Sequence, residues 1–421
     1  MKLHIENFAK IANADIEING ITVIAGENNT GKSTVGKILY SIFDTFFELE
    51  KKLSSMKINT LSRRLERYLD FQDEQFSFVG KSREVISDIV KQMISQFKID
   101  MTLEEYKEIL SKITENLGAT IHDIDDYAKY SYEILSTKKI EEIEKFFVTI
   151  LENEVGSIDS LYNKKSMNVD LQIQDSHIKF STKRKHNIFN VESYIPLNKE
   201  AVYYDDPKVI DYLNSSLYRM KSEYTIFKHD NKLSFLLRED NQNIDMYEEI
   251  VNKKNLKTLQ EELKKIINGD FVKENNRVKF KSNDLEDGFD LQTLSSGLKG
   301  MSVLLRLIEC GKLEEKGTII LDEPEIHLHP KWQLKYAELL IELQKILNLH
   351  ILISSHSPYF ISAIEAYSAK HEIADKCKYY LSDLNEENMA VFEDVTRDTD
   401  KIYKKLAEPL KELEKIIYGN R

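Results

Sequence analysis

The stretch from Ile21 to Thr34, ITVIAGENNTGKST, narrows the choice of fold more than any other in the chain. Ile21, Thr22, Val23 and Ile24 are β-branched and read as a short buried strand. GENNTGKS follows as a loop, and Val35, Ile38, Leu39, Ile42, Phe43 and Phe46 then recur at helical spacing. Strand, loop and helix in this order are the context in which G-x-x-x-x-G-K-[ST] holds a phosphate. Gly26 and Gly31 let the backbone curl, so that successive N–H groups across Glu27, Asn28, Asn29 and Thr30 and on to Thr34 face the anion. The helix beginning near Lys32 adds its positive end. Lys32 is placed to reach the β- and γ-phosphates, and the Ser33 hydroxyl to ligate Mg²⁺. The expected ligand is a nucleoside triphosphate with Mg²⁺.

The chain has 421 residues, enough for two or three domains. No apolar run approaches the roughly 18–20 residues of a membrane span, and MKLHIENFAK lacks the apolar core of a signal peptide. Cys310 and Cys377 are far apart and outside any CxxC, which excludes a disulfide framework and fits a cytoplasmic protein. The net charge of −12 means that any nucleic-acid contact needs a local basic patch.

Residues 2–8 and 14–18 alternate apolar and polar and predict two strands, joined by Asn19-Gly20 to the phosphate-loop strand. Phe8, just ahead of the second strand, is either a base-stacking aromatic or core. From 48 to 165 the chain is rich in Lys, Glu, Leu and Ile at helical spacing, predicting helices around Leu61–Phe71, Ser82–Gln96, Thr102–Asn116 and Lys138–Glu154. Residues 168–195 alternate again as strands. Within them Lys183, Arg184, Lys185 and His186 form a basic run, either a phosphate-backbone contact or a solvated turn. Beyond Pro196, 207–222 and 244–267 read as helices, and 224–237 and 271–281 as hairpin strands. A strand pair near 377–381 and 390–395 precedes a charged helix from about Thr399 to Ile417.

A nucleotide hydrolase also needs a metal-ordering carboxylate and a group that polarises water. Thr318–Leu321 is a buried strand that delivers Asp322 for the metal that Ser33 holds and Glu323 for the water. His356 ends a second buried strand inside SSHSP and reads as a γ-phosphate sensor. Ser295, Ser296 and Gly297, in LSSG, open a helix; they are either an ordinary N-cap or a second anion site.

In order and type these elements resemble the ATP-binding-cassette ATPase heads of the SMC, RecF and OLD group, over roughly residues 1–47 and 290–400. GENNTGKS matches Walker A, LSSGLK is similar to the family signature, and IILDEPE is similar to Walker B with Glu323 as its catalytic glutamate. HLHP stands where the family's D-loop lies, and SSHSP resembles its switch-histidine loop. The pairing of DEPEIHLHPKWQ with SSHSPYF is especially similar to OLD-related and anti-phage ATPases. There are departures: Leu298 follows the signature where an acid or glutamine is usual, His329 stands in the D-loop, and Asn198 is the nearest amide to a Q-loop residue.

The resemblance implies an α/β ABC-ATPase head, a mixed sheet with flanking helices, interrupted by a mainly helical insertion. Lobe one would begin at 1–47, the insertion would occupy 48–165, the rest of lobe one 166–289, and lobe two 290–421. It implies a homodimer that sandwiches two ATP molecules, a higher oligomer being open, with Ser295 and Gly297 of one subunit meeting the γ-phosphate at Lys32 of the other. After His356 about 65 residues remain, too few for the TOPRIM nuclease of OLD enzymes. The expected role is therefore a sensor or motor for a separate effector, a nuclease or toxin, in bacterial anti-phage defence. The alternative is a DNA-repair or recombination ATPase that binds DNA directly through Lys183, Arg184 and Lys185. No membrane partner is expected.

Overall fold

The computed structural model describes the chain apart from residues 72–78, 157–165, 184–187, 216–227, 239–245, 276, 285–286 and 420–421. Strands Lys2–Phe8 (β1), Ile11–Glu17 (β2) and Ile21–Gly26 (β3) open it, and helix Lys32–Phe46 (α1) follows the phosphate loop. β1 and β2 bury alternate residues, as their sequence alternation requires, whereas all six residues of β3 are buried. Phe8 is 1% exposed, so it is core rather than an accessible stacking face.

Glu48–Phe146 forms a compact unit of its own. It holds Leu49–Leu65 (α2), Leu69–Phe71 (β4), Val79–Gln96 (α3), Leu103–Asn116 (α4), Ala119–Ile121 (β5), Ile124–Leu135 (α5) and the start of Lys139–Val155 (α6). Leu61, Leu65, Ile89, Val90, Tyr106, Leu110 and Tyr127 meet in its core. Thr102 and Glu105 close a capping box that starts α4. The helix expected over Leu61–Phe71 stops at Leu65, because Leu69–Phe71 pairs antiparallel with Ala119–Ile121. The unit ends at Phe146, earlier than residue 165. From Phe147 onward α6 belongs to the remaining described chain, where the Phe147 ring lies 4.2 Å from that of Phe180.

That remaining chain, Met1–Phe47 and the stretch after Phe146, is built on one mixed sheet. After α6 come Asn168–Ile173 (β6), Ser176–Lys183 (β7), Ile188–Ser193 (β8), Ala201–Tyr204 (β9), His229–Leu236 (α7), Met246–Ile267 (α8), Gly269–Glu274 (β10) and Arg277–Ser282 (β11). Then follow Ser296–Glu309 (α9), Thr318–Asp322 (β12), Pro330–Leu347 (α10), His350–Ser355 (β13), Pro358–Lys370 (α11), Cys377–Leu384 (β14), Ala390–Asp394 (β15), Asp400–Leu406 (α12) and Glu408–Tyr418 (α13). Eleven strands run in the order β8-β7-β6-β1-β2-β15-β14-β3-β13-β12-β9. The segment β14-β3-β13-β12-β9 is wholly parallel; β15 pairs antiparallel with β14 and parallel with β2, and β2, β1, β6, β7 and β8 form an antiparallel wing beyond it.

Three expectations are corrected here. Residues 229–236, expected as strand, are helical: His229, Lys232, Leu233 and Leu236 are buried at the i, i+3, i+4, i+7 spacing of one helix face. In the 207–222 region, Pro207–Tyr212 is a 3₁₀ turn capped by Asp206, whose carboxylate accepts from the Lys208 N–H. The charged C-terminal helix is two helices, and Pro409 stands in the first turn of the second, where a missing N–H costs nothing. Of the basic run, Arg184, Lys185 and His186 lie outside the described residues, while Lys183 ends β7.

Candidate nucleotide-binding and hydrolysis site

β3, β13 and β12 are neighbours and parallel, with Ile24 beside Ser354 and Asp322 beside Ser354 in register. Their carboxyl ends therefore deliver the phosphate loop, the Asp322-Glu323 pair and Ser355-His356 to one edge of the sheet, where ligands of open α/β sheets bind. Gly26 can be nothing larger, since a Cβ there would lie 2.4 Å from the Ser382 carbonyl oxygen of β14. Gly31 has φ +82° and precedes the first residue of α1, a conformation that other residues adopt at a cost. Glu27, Asn28 and Asn29 are exposed at the crest of the loop, while the Thr30 hydroxyl is buried, 2.7 Å from the Glu27 carbonyl and 2.6 Å from Ser382 Oγ. Ser33 and Thr34 are half-buried in the first turn of α1. The buried Lys32 donates from Nζ to the carbonyls of Gly26 at 2.9 Å and Glu27 at 2.7 Å. Burial lowers its pKa, opposed by the charges of Glu323 and Asp322.

Asp322 is buried and accepts three hydroxyls: Ser33 at 3.1 Å and Ser354 on Oδ1, and the Tyr203 phenol at 3.0 Å on Oδ2. Glu323 follows with φ +49°, left-handed backbone, while its N–H donates to the Ser354 carbonyl at 2.9 Å. For a residue with a Cβ this conformation costs roughly 1–2 kcal/mol, and such outliers concentrate where geometry must be fixed. Its carboxylate lies 3.1 Å from His356 Nδ1 and 3.8 Å from Lys32 Nζ. The His356 contact holds the Glu323 carboxyl below its ordinary range, and the same contact raises the imidazole.

Behind this pair lies a further acid. Glu325 is 1% exposed, accepts the Ser355 hydroxyl, and its other oxygen has no protein donor. Burial pushes its carboxyl up to about 7. Gln333 on α10 ties the same region together: its amide donates to the Leu328 carbonyl at 3.1 Å, and its oxygen accepts from Ser357 at 2.8 Å. The residues on both sides of His356 are thereby fixed to the stretch that holds HLHP.

Ser295 caps α9, its hydroxyl accepting from the Leu298 N–H at 3.4 Å, and both Ser295 and Ser296 are exposed. Gly297 is packed closely, a Cβ there lying 3.1 Å from the His327 carbonyl oxygen. Lys299 is buried and donates to Asp211 at 2.8 Å and to the Gln292 carbonyl at 3.2 Å. His329 caps α10, accepting from the Lys331 N–H at 3.3 Å. Asn198 is exposed just ahead of β9. The structure thus brings together Lys32, Ser33, Asp322, Glu323 and His356, and leaves Ser295–Gly297 outside that group of contacts.

Three residues of the site were not foreseen. Tyr203 stands in AVYYDD, where nothing marks it until β9 is known to flank β12 in register, Tyr204 beside Leu321. Ser354 lies opposite Asp322 on β13, and SSHSP does contain it. Glu325 could have been suspected as the third acid of DEPE.

The donor set suits a hard cation. A carboxylate and a hydroxyl 3.1 Å apart, beside a loop of backbone N–H groups, offer oxygen ligands of the kind Mg²⁺ takes together with phosphate oxygens. Residues 1–361 match the family model described as AAA ATPase domain. The chain belongs to this family. It is an ATP-hydrolysing enzyme. A probable ATPase of retron Vc95 from Vibrio cholerae serotype O1 biovar El Tor is 24% identical over 399 residues, covering 87% of this chain and 71% of that protein. Among solved structures, an SMC head bound to the C-terminal winged-helix domain of ScpA is 10% identical, with TM-score 0.45, covering 95% of this chain and 98% of that one. The SMC head domain from Thermotoga maritima is 12% identical, with TM-score 0.40, covering 94% and 98%. An ATP-binding cassette of an ABC transporter in its ADP conformation is 12% identical, with TM-score 0.34 and full coverage of both chains. Among the described residues no helix is long and apolar enough to cross a membrane.

Proposed function

We propose that this ATPase hydrolyses Mg-ATP between two copies of itself and that the cycle serves a separate effector in bacterial defence against phage. The observation that carries the two-copy reading is the contrast within the site. Lys32, Ser33, Asp322, Glu323 and His356 converge, while the exposed Ser295 bonds within its own turn and Ser296 beside it is exposed.

In this reading the phosphate loop and Lys32 hold the triphosphate, and Ser33 and Asp322 hold Mg²⁺. Bound Mg²⁺ neutralises charge on the phosphate oxygens. Glu323, kept ionised by His356, orients water toward the γ-phosphate and accepts its proton. His356, pulled toward the charged form by Glu323, donates to the γ-phosphate. Ser295 and Gly297 of the second copy close the site.

The retron relative supports the defence context, as does the likeness of DEPEIHLHPKWQ and SSHSPYF to anti-phage ATPases. Mass measurement of Glu323→Gln with and without Mg-ATP tests the dimer: ATP is expected to shift the mass to twice that of one chain. A Glu323→Gln form that binds ATP yet keeps the single-chain mass rejects the two-copy reading. Purification from the native host tests the effector: an isolated chain that confers protection alone rejects it.

A further inference from the structure

His229, at the start of α7, is 3% exposed and sits between two carboxylates. Glu154, in the last turn of α6, accepts from the His229 N–H at 2.8 Å and pairs with Nδ1 through its other oxygen. Asp205, just after β9, lies 2.8 Å from Nε2. The Glu154 side chain is fully buried. A buried carboxylate is sustained only by a paired charge and hydrogen bonds, and an imidazole bonded on both nitrogens to carboxylates carries its second proton. The imidazole is accordingly pushed up to about 9.

None of these three groups lies in the nucleotide site, yet the ring they hold abuts a residue that does. The His229 ring centroid is 4.6 Å from that of Tyr203, tilted 52°. Tyr40 of α1 closes the pair from another side, 5.7 Å from Tyr203 and 6.2 Å from His229. Gly36, on the same helix, leaves room for the phenol: a Cβ there would lie 3.2 Å from Tyr203 Cε2. Held between these groups, the phenol donates to Asp322 Oδ2 at 3.0 Å.

The structure assigns His229 and Tyr203 as positioning residues for the metal-binding carboxylate: the Glu154–His229–Asp205 clamp fixes the Tyr203 ring, and the phenol fixes Asp322. This rests on the reading of Asp322 as a Mg²⁺ ligand. Glu154 is the outermost member. It stands near the end of α6, the helix on which the chain leaves the Glu48–Phe146 unit, so the last turn of that helix bears on the metal ligand.

The test compares full-length Tyr203→Phe, His229→Gln and their double variant with Asp322→Asn. Two quantities are read: affinity for a fluorescent ATP analogue in EDTA, and the Mg²⁺ concentration at which that affinity reaches half its full tightening. Residues supporting a metal ligand typically govern metal affinity by about 10–100-fold. Each single variant is expected to raise the Mg²⁺ requirement about tenfold with the EDTA affinity unchanged, and the double variant to match the larger single effect. Additive effects, or no shift in either single variant while Asp322→Asn shows one, overturn the inference. No shift in Asp322→Asn overturns the metal reading and this inference with it. If His229→Gln does not fold, Glu154→Gln paired with Tyr203→Phe makes the same comparison.

Discussion

Lys32, Ser33, Asp322, Glu323 and His356 are tied to one another by contacts of 3.1 to 3.8 Å. Ser295, expected with Gly297 at the γ-phosphate of a second copy, faces solvent with Ser296 at the head of α9. Both groups are held with care: Asp322 by three hydroxyls, and the start of α9 by the buried Lys299–Asp211 pair and the close seat of Gly297. The difference lies in where the held groups point. One set is wired together within the chain, and the other is stiffened yet exposed; under the proposed two-copy reading it is met by a second chain. A rigid exposed motif loses little freedom when it docks, which is the advantage of preorganisation.

The sharpest way to separate the two groups is to remove one member of each. Lys32→Ala takes away the buried ammonium at the phosphate loop and is expected to weaken ATP binding by at least about 100-fold, measured by equilibrium dialysis. Glu323→Gln keeps the shape and the binding but removes the base. Turnover should fall about 10²–10⁴-fold while ATP affinity stays within a factor of two. Ser295→Arg should spare ATP binding and lower turnover about 10²-fold. Mixing Ser295→Arg with Lys32→Ala provides the decisive arm, because a mixed pair contains one site with an intact Lys32 facing an intact Ser295. Activity should return on mixing, and a mixture as inactive as its parts breaks the comparison.

The smallest effect belongs to Glu325. Its folded-state carboxyl is raised to about 7 from the ordinary 4.5, so folding favours the neutral acid. The unfolded chain therefore releases this proton first, and stability falls as pH rises from about 4.5 to about 7, then levels off. A shift of this size corresponds to about 3 kcal/mol at most. Glu325→Gln, measured by denaturant unfolding across that range, should flatten this part of the curve.

Much of the half-site was legible because its residues end strands whose apolar runs are unmistakable, Ile21–Ile24, Ile319–Leu321 and Ile351–Ile353. Each run fixes a strand, and the polar residue after it must then emerge at the strand's end. Tyr203 was illegible for the opposite reason. It is one of two adjacent tyrosines inside a short strand, and only the placement of β9 beside β12 turns its phenol into a donor for Asp322. His229 was misread along with its helix, since KLSFLL satisfies an alternating pattern as well as a helical one. What separates the readings is burial on a single face, which depends on distant partners such as Glu154. In the helical unit α2 was carried too far because a three-residue strand gains its identity from a pairing partner about fifty residues on.

Gly26 is crowded by Ser382, a neighbour more than 350 residues downstream. The floor beneath the first glycine of the phosphate loop is thus laid by β14, after every other strand of the parallel segment has been made. A ribosome that has released β3, β9, β12 and β13 holds a chain whose phosphate loop still lacks this wall and the hydroxyl that meets Thr30. Competence to grip a nucleotide arrives late in synthesis, and the first motif translated is among the last to be finished.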